Sequence, residues 1–193
     1  MGLLSRAGDT YYALRFLRLL TTPWKKTNAY KAGIIGDKGQ LLKKPETSEE
    51  KSVYNVFHKL VYNLKRLLTK LPFGQSVIGR YASALYLIKE HTGLSDELIG
   101  ECLYELYGFN PAKEDLITES FYTNQDDQLY SGEYSVKDGC IFLNGDYLKC
   151  KGDSVYCNED TTPVGEIFGI PVFKLVHLKT KNIIYTTTHD IEA

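Results

Sequence analysis

Residues 47–68 read TSEEKSVYNVFHKLVYNLKRLL, and the spacing of their apolar positions decides the class of the first half of the chain. Val53, Val56, Phe57, Leu60, Val61, Leu64, Leu67 and Leu68, followed by Leu71, recur every three or four residues. That period predicts an amphipathic helix of about five turns. Thr47 with Glu50 predicts a capping box at its start, because the hydroxyl can accept an orphan backbone N–H while the carboxylate accepts another. Pro72 and Gly74 predict its end. The apolar stripe requires a partner surface, so the chain needs further helices or a sheet to cover it.

Working outward, helices are expected over about 9–20, 75–90 and 95–107. Pro23 stops the first. The third contains GRYASALYLI, whose Gly79, Ala82, Ser83 and Ala84 allow a close neighbour. For the last, Ser95 is the expected N-cap, Gly108 the residue just past the end, and Pro111 lies beyond. Between the first two helices, AYKAGIIGDKGQLLKKP (29–45) places apolar runs on either side of GDKG, as in a small hairpin or an extended loop. From about Asp115 the composition shifts to Asp, Asn, Gly, Thr and Tyr, and TESFYTNQDDQ (118–128) reads as a linker. Short apolar runs then alternate with KDGC, NGD, KGDS and KTKN, which is the pattern of antiparallel hairpins. HDIEA (189–193) is expected to form a closing helical turn. The fold class is therefore α+β: a helical module, 1–112, followed by a small antiparallel, SH3-like β-barrel, 117–193.

Charge divides in the same place. Of the 193 residues, those up to Glu90 carry 16 Lys and Arg against 6 Asp and Glu, and those from His91 carry 7 against 18, for a net −1. A basic half and an acidic half suit two partners, self-association, or neutralisation within one chain. Within the long helix, Lys59, Arg66 and Lys70 lie on one face with Lys65 beside them, a pattern shared by a binding face and a solvated one. Together with Lys43, Lys44 and Trp24 they are the candidate contacts for an acidic partner or for nucleic acid, cations meeting phosphates and the indole offering a stacking surface.

Signals for chemistry are few. The P-loop, dinucleotide, zincin and serine-hydrolase motifs are missing. Cys102, Cys140, Cys150 and Cys157 form no CxxC pair, as expected of reduced thiols in a cytoplasm. Cys102 falls on the apolar stripe of the last helix and reads as a core thiol. His58 reads as an exposed or boundary residue, and His177 as a satisfied histidine of a strand. Cys150 or Cys157 beside His177 would make a nucleophile pair, which nothing in their spacing demands. The paired acids of DDQ and NED are ordinary for an acidic segment. MGLLSR matches the loose myristoylation pattern, but the N-terminal apolar run is cut by Arg6, Arg15 and Arg18, so no membrane span is expected. No cofactor is called for.

Residues 14–68 as a whole, through AYKAGII, TSEEKS and FHKLVYNLKRLL, resemble a segment of proteins of large tailed bacteriophages that is associated with the prohead core. The resemblance implies a non-enzymatic assembly role, as head core scaffold or minor virion component, in the virion or in the host cytoplasm during assembly. It implies capsid, portal or other virion proteins as partners, with packaged DNA as a further one, and work within an oligomer or larger assembly. The β module departs from a plain helical scaffold. The alternative from the residues themselves is a nucleic-acid-binding module using the basic half.

Overall fold

The computed structural model describes residues 3–69, 78–114, 116, 122–124 and 126–193, with side chains from residue 11 onward. Lys70, the stop at Pro72 and Gly74, the start of the third expected helix and much of the expected linker lie outside the described residues. Among the described residues six α-helices precede eight strands: α1 (Leu3–Thr21), α2 (Asn28–Lys31), α3 (Ser48–Val53), α4 (Val56–Leu68), α5 (Gly79–Thr92) and α6 (Asp96–Tyr107), then β1 (Gly132–Val136), β2 (Gly139–Phe142), β3 (Tyr147–Lys149), β4 (Ser154–Cys157), β5 (Gly165–Ile167), β6 (Ile170–His177), β7 (Ile183–Thr186) and β8 (Ile191–Glu192).

The capping box forms as the sequence predicts. Thr47 Oγ1 accepts from the Glu50 backbone N–H (3.2 Å), and the Glu50 carboxylate accepts from the backbone N–H groups of Thr47 and Glu46. The helix that follows is not continuous, however. It breaks at Tyr54 and restarts under a second capping box, in which Asn55 Oδ1 accepts from the His58 backbone N–H (3.2 Å). An Asn side chain competes for backbone donors and favours a cap over a helix interior. The break turns Tyr54 into a small cluster with Ala29, Ile34, Ile35 and Tyr62. Segment 29–45 forms no full hairpin, only α2 and a single bridge, Ile35 to Leu41. Ser95 and Gly108 bound α6 as expected, Gly108 taking the left-handed φ of 70°.

Helix α5 is the centre of the molecule. Gly79 and every residue from Tyr81 to Ile88 are buried, which marks a helix covered on all sides. Its small residues allow this: a Cβ on Gly79 would lie 2.5 Å from the His189 ring. One apolar core runs from Phe16 and Leu20 of α1, through Phe57, Leu60 and Leu64 of α4, Leu85 and Ile88 of α5 and Leu103 of α6, to Ile141, Val172 and Tyr185 of the sheet. The helical half and the sheet therefore bury one another.

The strands pair antiparallel in the order β3-β2-β7-β6-β4-β1-β8, with β5 added on β6. This order forces curvature. In a flat sheet β1 and β2 would stand four strand spacings apart, roughly 19 Å, yet only residues 137 and 138 separate them, a reach of at most roughly 11 Å. The sheet curls round a second apolar cluster that includes Val136, Cys140, Val155, Phe173 and Leu175. It does not close into the expected SH3-like barrel: β3 and β8 are the free ends of the order and do not pair with each other. HDIEA is no helical turn but supplies β8, with Ile191 opposite Val136.

Candidate ligand groove

One basic residue of α4, Lys59, and its neighbour Asn63 are held by the sheet half. Lys59 pairs with Asp146 at 2.9 Å, and Asn63 Nδ2 donates to the Gly145 carbonyl at 2.6 Å, so the NGD turn between β2 and β3 sits on the polar face of α4. Gly145 (φ 80°) allows that close seat, for a Cβ there would already be 3.2 Å from Leu60. Arg66 donates to Asn63 Oδ1 and completes the array. Some of the charge division in the sequence is thus neutralised inside the chain.

Lys65 is not on this face. It is buried, donates to the carbonyl of Leu19 in the last turn of α1 and to that of Thr22 just past its end, and lies 4.5 Å above the Trp24 ring. Burial pushes its pKa down. Lys43 points outward to Glu50, whose carboxyl it helps to hold at about 2.

Around this docking seam lie three hollows. The first, of about 420 Å³, is lined by Arg80, Lys137, Asp138, Lys149, Lys151 and Asp190 among others. The second, of about 570 Å³, takes Trp24, Asp37, Lys38, Arg66 and Lys149. The third, of about 450 Å³, takes Lys44, Tyr54, Lys59, Arg66 and Asp146. Tyr147 lines all three, Lys149 and Leu67 bridge the first and second, and Arg66 and Asn63 bridge the second and third. The hollows therefore join into one groove with eight cationic side chains against four carboxylates. Its accessible aromatic surface comes mainly from the half-buried rings of Trp24 and Tyr147, while Tyr54, Tyr81 and Tyr185 are buried in its walls.

The floor of the first hollow is polar. Asp190 Oδ2 accepts from Ser83 Oγ, Thr187 Oγ1 and the Thr187 backbone N–H, each at 3.2 Å. Burial nevertheless pushes its pKa up to about 6. Burial, with Asp138 nearby, pushes the Tyr147 phenol up as well.

Trp24 is positioned by a glycine. Gly39 has φ 72°, and a Cβ on it would fall 2.6 Å from the indole. Gly39→Ala is expected to cost about 2 kcal/mol, from left-handed strain and overpacking together. Trp24 is the single tryptophan, so a red-shifted emission with a lower urea midpoint is the expected result. Unchanged fluorescence would show that this contact does not hold the ring.

Of the seven sequence candidates, Trp24, Lys44, Lys59 and Arg66 meet in the groove, Lys65 is structural, Lys43 lies outside it, and Lys70 is outside the described residues. Lys38, Arg80, Lys137, Lys149 and Lys151 were not anticipated. Lys149 carried a signal, since it alternates with Tyr147 on one face of β3, but it was masked by the acidic composition around it; Lys151 lies in the turn that follows.

Two readings of histidine change. His58 is buried, its Nε2 3.3 Å from Arg15 Nη2, and burial followed by the Arg15 charge lowers its pKa to about 4. His177 is fully buried, and its ring lies with Cys140 and Cys150 rather than Cys157, whose thiol donates to the Glu159 carbonyl.

Among the described residues no helix is long and apolar enough to cross a membrane. Compared with protein-family models, with curated proteins and with solved structures, the chain matches none.

Proposed function

We propose that the chain is a non-catalytic assembly protein of a large tailed bacteriophage, acting as head core scaffold or minor virion component, and that it holds its partner in the groove. The observation that carries this reading is the groove's excess of positive charge beside an aromatic floor. Trp24, Lys44, Tyr54, Lys59 and Arg66 of that groove all belong to residues 14–68, the segment that resembles prohead core proteins. The curled sheet, which we read as a small SH3-like unit, supplies the rest of the lining and a second docking surface. Mass spectrometry of mature virions beside immature heads of the encoding phage tests the role. Full-length chain in mature particles would make it a permanent component, and presence in immature heads alone would make it scaffold. Absence from both overturns the assembly reading.

The aromatic side chains among the cations favour a second reading, a nucleic-acid-binding module. Cations engage phosphates while the half-buried rings of Trp24 and Tyr147 offer faces on which bases of a single strand stack. The net excess of four charges sets the expectation for a single-stranded oligonucleotide: a salt slope of roughly −3, so that affinity falls roughly 50-fold between 50 and 200 mM salt. Joint replacement of the exposed Lys149 and Lys151 by Glu should weaken binding at least about tenfold without altering the circular dichroism. A salt-independent affinity, or none, would overturn this reading and leave an acidic protein segment as the groove's occupant.

A further inference from the structure

Lys149 and Lys151 face the groove, and Cys150 between them points the other way, into the interior of the curled sheet, where it is buried. There it meets Cys140 of β2, the two sulfurs 2.9 Å apart, and the ring of His177 from the far end of β6. One donor atom from each of the three residues lies within 4.8 Å of the others. Only the curl of the sheet makes this possible, because β2 and β6 are not neighbours in the strand order.

The histidine is held as a ligand is held. Nδ1 lies 2.9 Å from Thr180 Oγ1, and a hydrogen bond donated there leaves the lone pair on Nε2. Nε2 itself is buried without a hydrogen-bond partner. Asp153 Oδ2 stands 3.3 Å from it, out of hydrogen-bonding alignment. A fully buried ring nitrogen with no bonded partner, beside two buried thiols and a carboxylate, is the donor set that a tetrahedral ion satisfies.

We propose that Cys140, Cys150 and His177 bind a thiophilic divalent metal ion, zinc foremost, with Asp153 at the solvent side completing four donors. Two sulfurs, a nitrogen and an oxygen match the preferences of a closed zinc site, with metal–sulfur distances near 2.3 Å and metal–nitrogen distances near 2.0 Å. Tetrahedral angles at those lengths set the sulfurs roughly 3.8 Å apart, so the thiols separate by under an ångström on binding. Zinc displaces the thiol protons, which pass to solvent, and no oxidation state changes. The ligand set carries one surplus negative charge, and Lys179, with its Nζ 3.8 Å from Asp153 Oδ2, offsets it. The bound ion would tie β2 and the β3–β4 connection to β6 across the interior, clamping the curl that shapes the groove. The site rests on side chains outside the groove's function and stands or falls independently of it.

The test uses the full chain, reduced and freed of metal by chelation, titrated with Co²⁺. Binding is expected as a thiolate-to-cobalt charge-transfer band with the visible d–d bands of a tetrahedral ion, saturating at a single ion per chain and removed by Zn²⁺. Zinc should also raise the melting temperature. Cys150→Ser, close in shape to the parent, should abolish the charge-transfer intensity expected of two thiolates and weaken affinity by more than the roughly 100-fold that outer-shell changes cost. Thr180→Val should weaken it about tenfold, while Cys102→Ser, whose thiol lies elsewhere in the core, should leave it unchanged. Absence of the bands in folded protein overturns the proposal. So does a spectrum indifferent to Cys150→Ser, or a mass loss showing that Cys140 and Cys150 form a disulfide that takes up no metal.

Discussion

Lys65→Glu is expected to destabilise the protein by about 3–5 kcal/mol, which for a chain of this size lowers the melting temperature by roughly 10 °C. The Lys65 ammonium reaches the Leu19 and Thr22 carbonyls at the C-terminal end of α1. Those are orphan acceptors with no helical donor, at the negative end of the helix dipole. The same ammonium faces the electron-rich ring of Trp24, where a cation is attracted and an anion repelled. A carboxylate there would oppose carbonyl oxygens and indole alike, in a place with little water to screen it. Lys65→Met separates the contributions, because it keeps the buried stem and loses only the hydrogen bonds and charge. It should cost about 1–2 kcal/mol. Lys149→Glu, on an exposed strand position, should stay within about 0.5 kcal/mol of the parent. A Lys65→Glu protein melting within about 2 °C of the parent would show that α1 needs no such cap. Charge reversal of Lys65 is therefore unsuitable as a probe of partner binding: lost binding would report lost structure.

This residue also shows where sequence reading runs out. The apolar stripe of residues 56–68 was legible because burial leaves a period, and so were the caps at Thr47, Ser95 and Gly108, which rest on local hydrogen bonds. Lys65 shares its spacing with Arg66 and Lys59, and helical periodicity alone makes all three one basic face. What separates them is the end of α1, more than forty residues upstream, whose unpaired carbonyls draw one of the three inward. The break at Tyr54 was hidden for the opposite reason. Val53 and Val56 fit the stripe on either side, so the pattern reads through a boundary that Asn55 marks only by its preference for caps. In the sheet, β1 to β7 were legible from their turns, but β8, read as a helical turn, and the order of pairing were not. The curl follows from that order, and with it the meeting of Cys140, Cys150 and His177 and the assembly of the groove from segments around residues 24, 44, 66, 80 and 149. Strand β8 is two residues long and pairs only because Val136 needs a cover, a requirement that no local pattern announces.

Two titratable groups, the buried His58 and the half-buried Asp190, oppose one another in their effect on stability, and separating them is expected to expose a pH dependence that the parent conceals. His58 has a folded pKa of about 4 against the usual 6.5, from burial and then the Arg15 charge. The unfolded chain therefore takes up a proton first as pH falls, and the stability present above pH 6.5 is lost between there and about 4. Asp190 is the reverse, with a folded pKa of about 6 against 3.8, raised by burial against the pull of Thr187 and Ser83. Its contribution is full below pH 3.8 and is lost as pH rises to about 6. At 1.36 kcal/mol per unit, each amounts to on the order of 3 kcal/mol across nearly the same window. Their signs are opposite, so in the parent they nearly cancel. His58→Gln removes one side, and its stability relative to the parent should fall as pH rises from 4 to 6.5. Asp190→Asn keeps an oxygen to accept from Thr187 and removes the other side, so its relative stability should fall as pH drops through that window. Urea midpoints of the three proteins at intervals of pH measure this directly, and because each variant is compared with the parent, every other titrating group drops out. Crossing profiles are the expected result. Parallel profiles would mean that neither group is sheltered from solvent, and that the hollow above Asp190 is wide open to water at its floor.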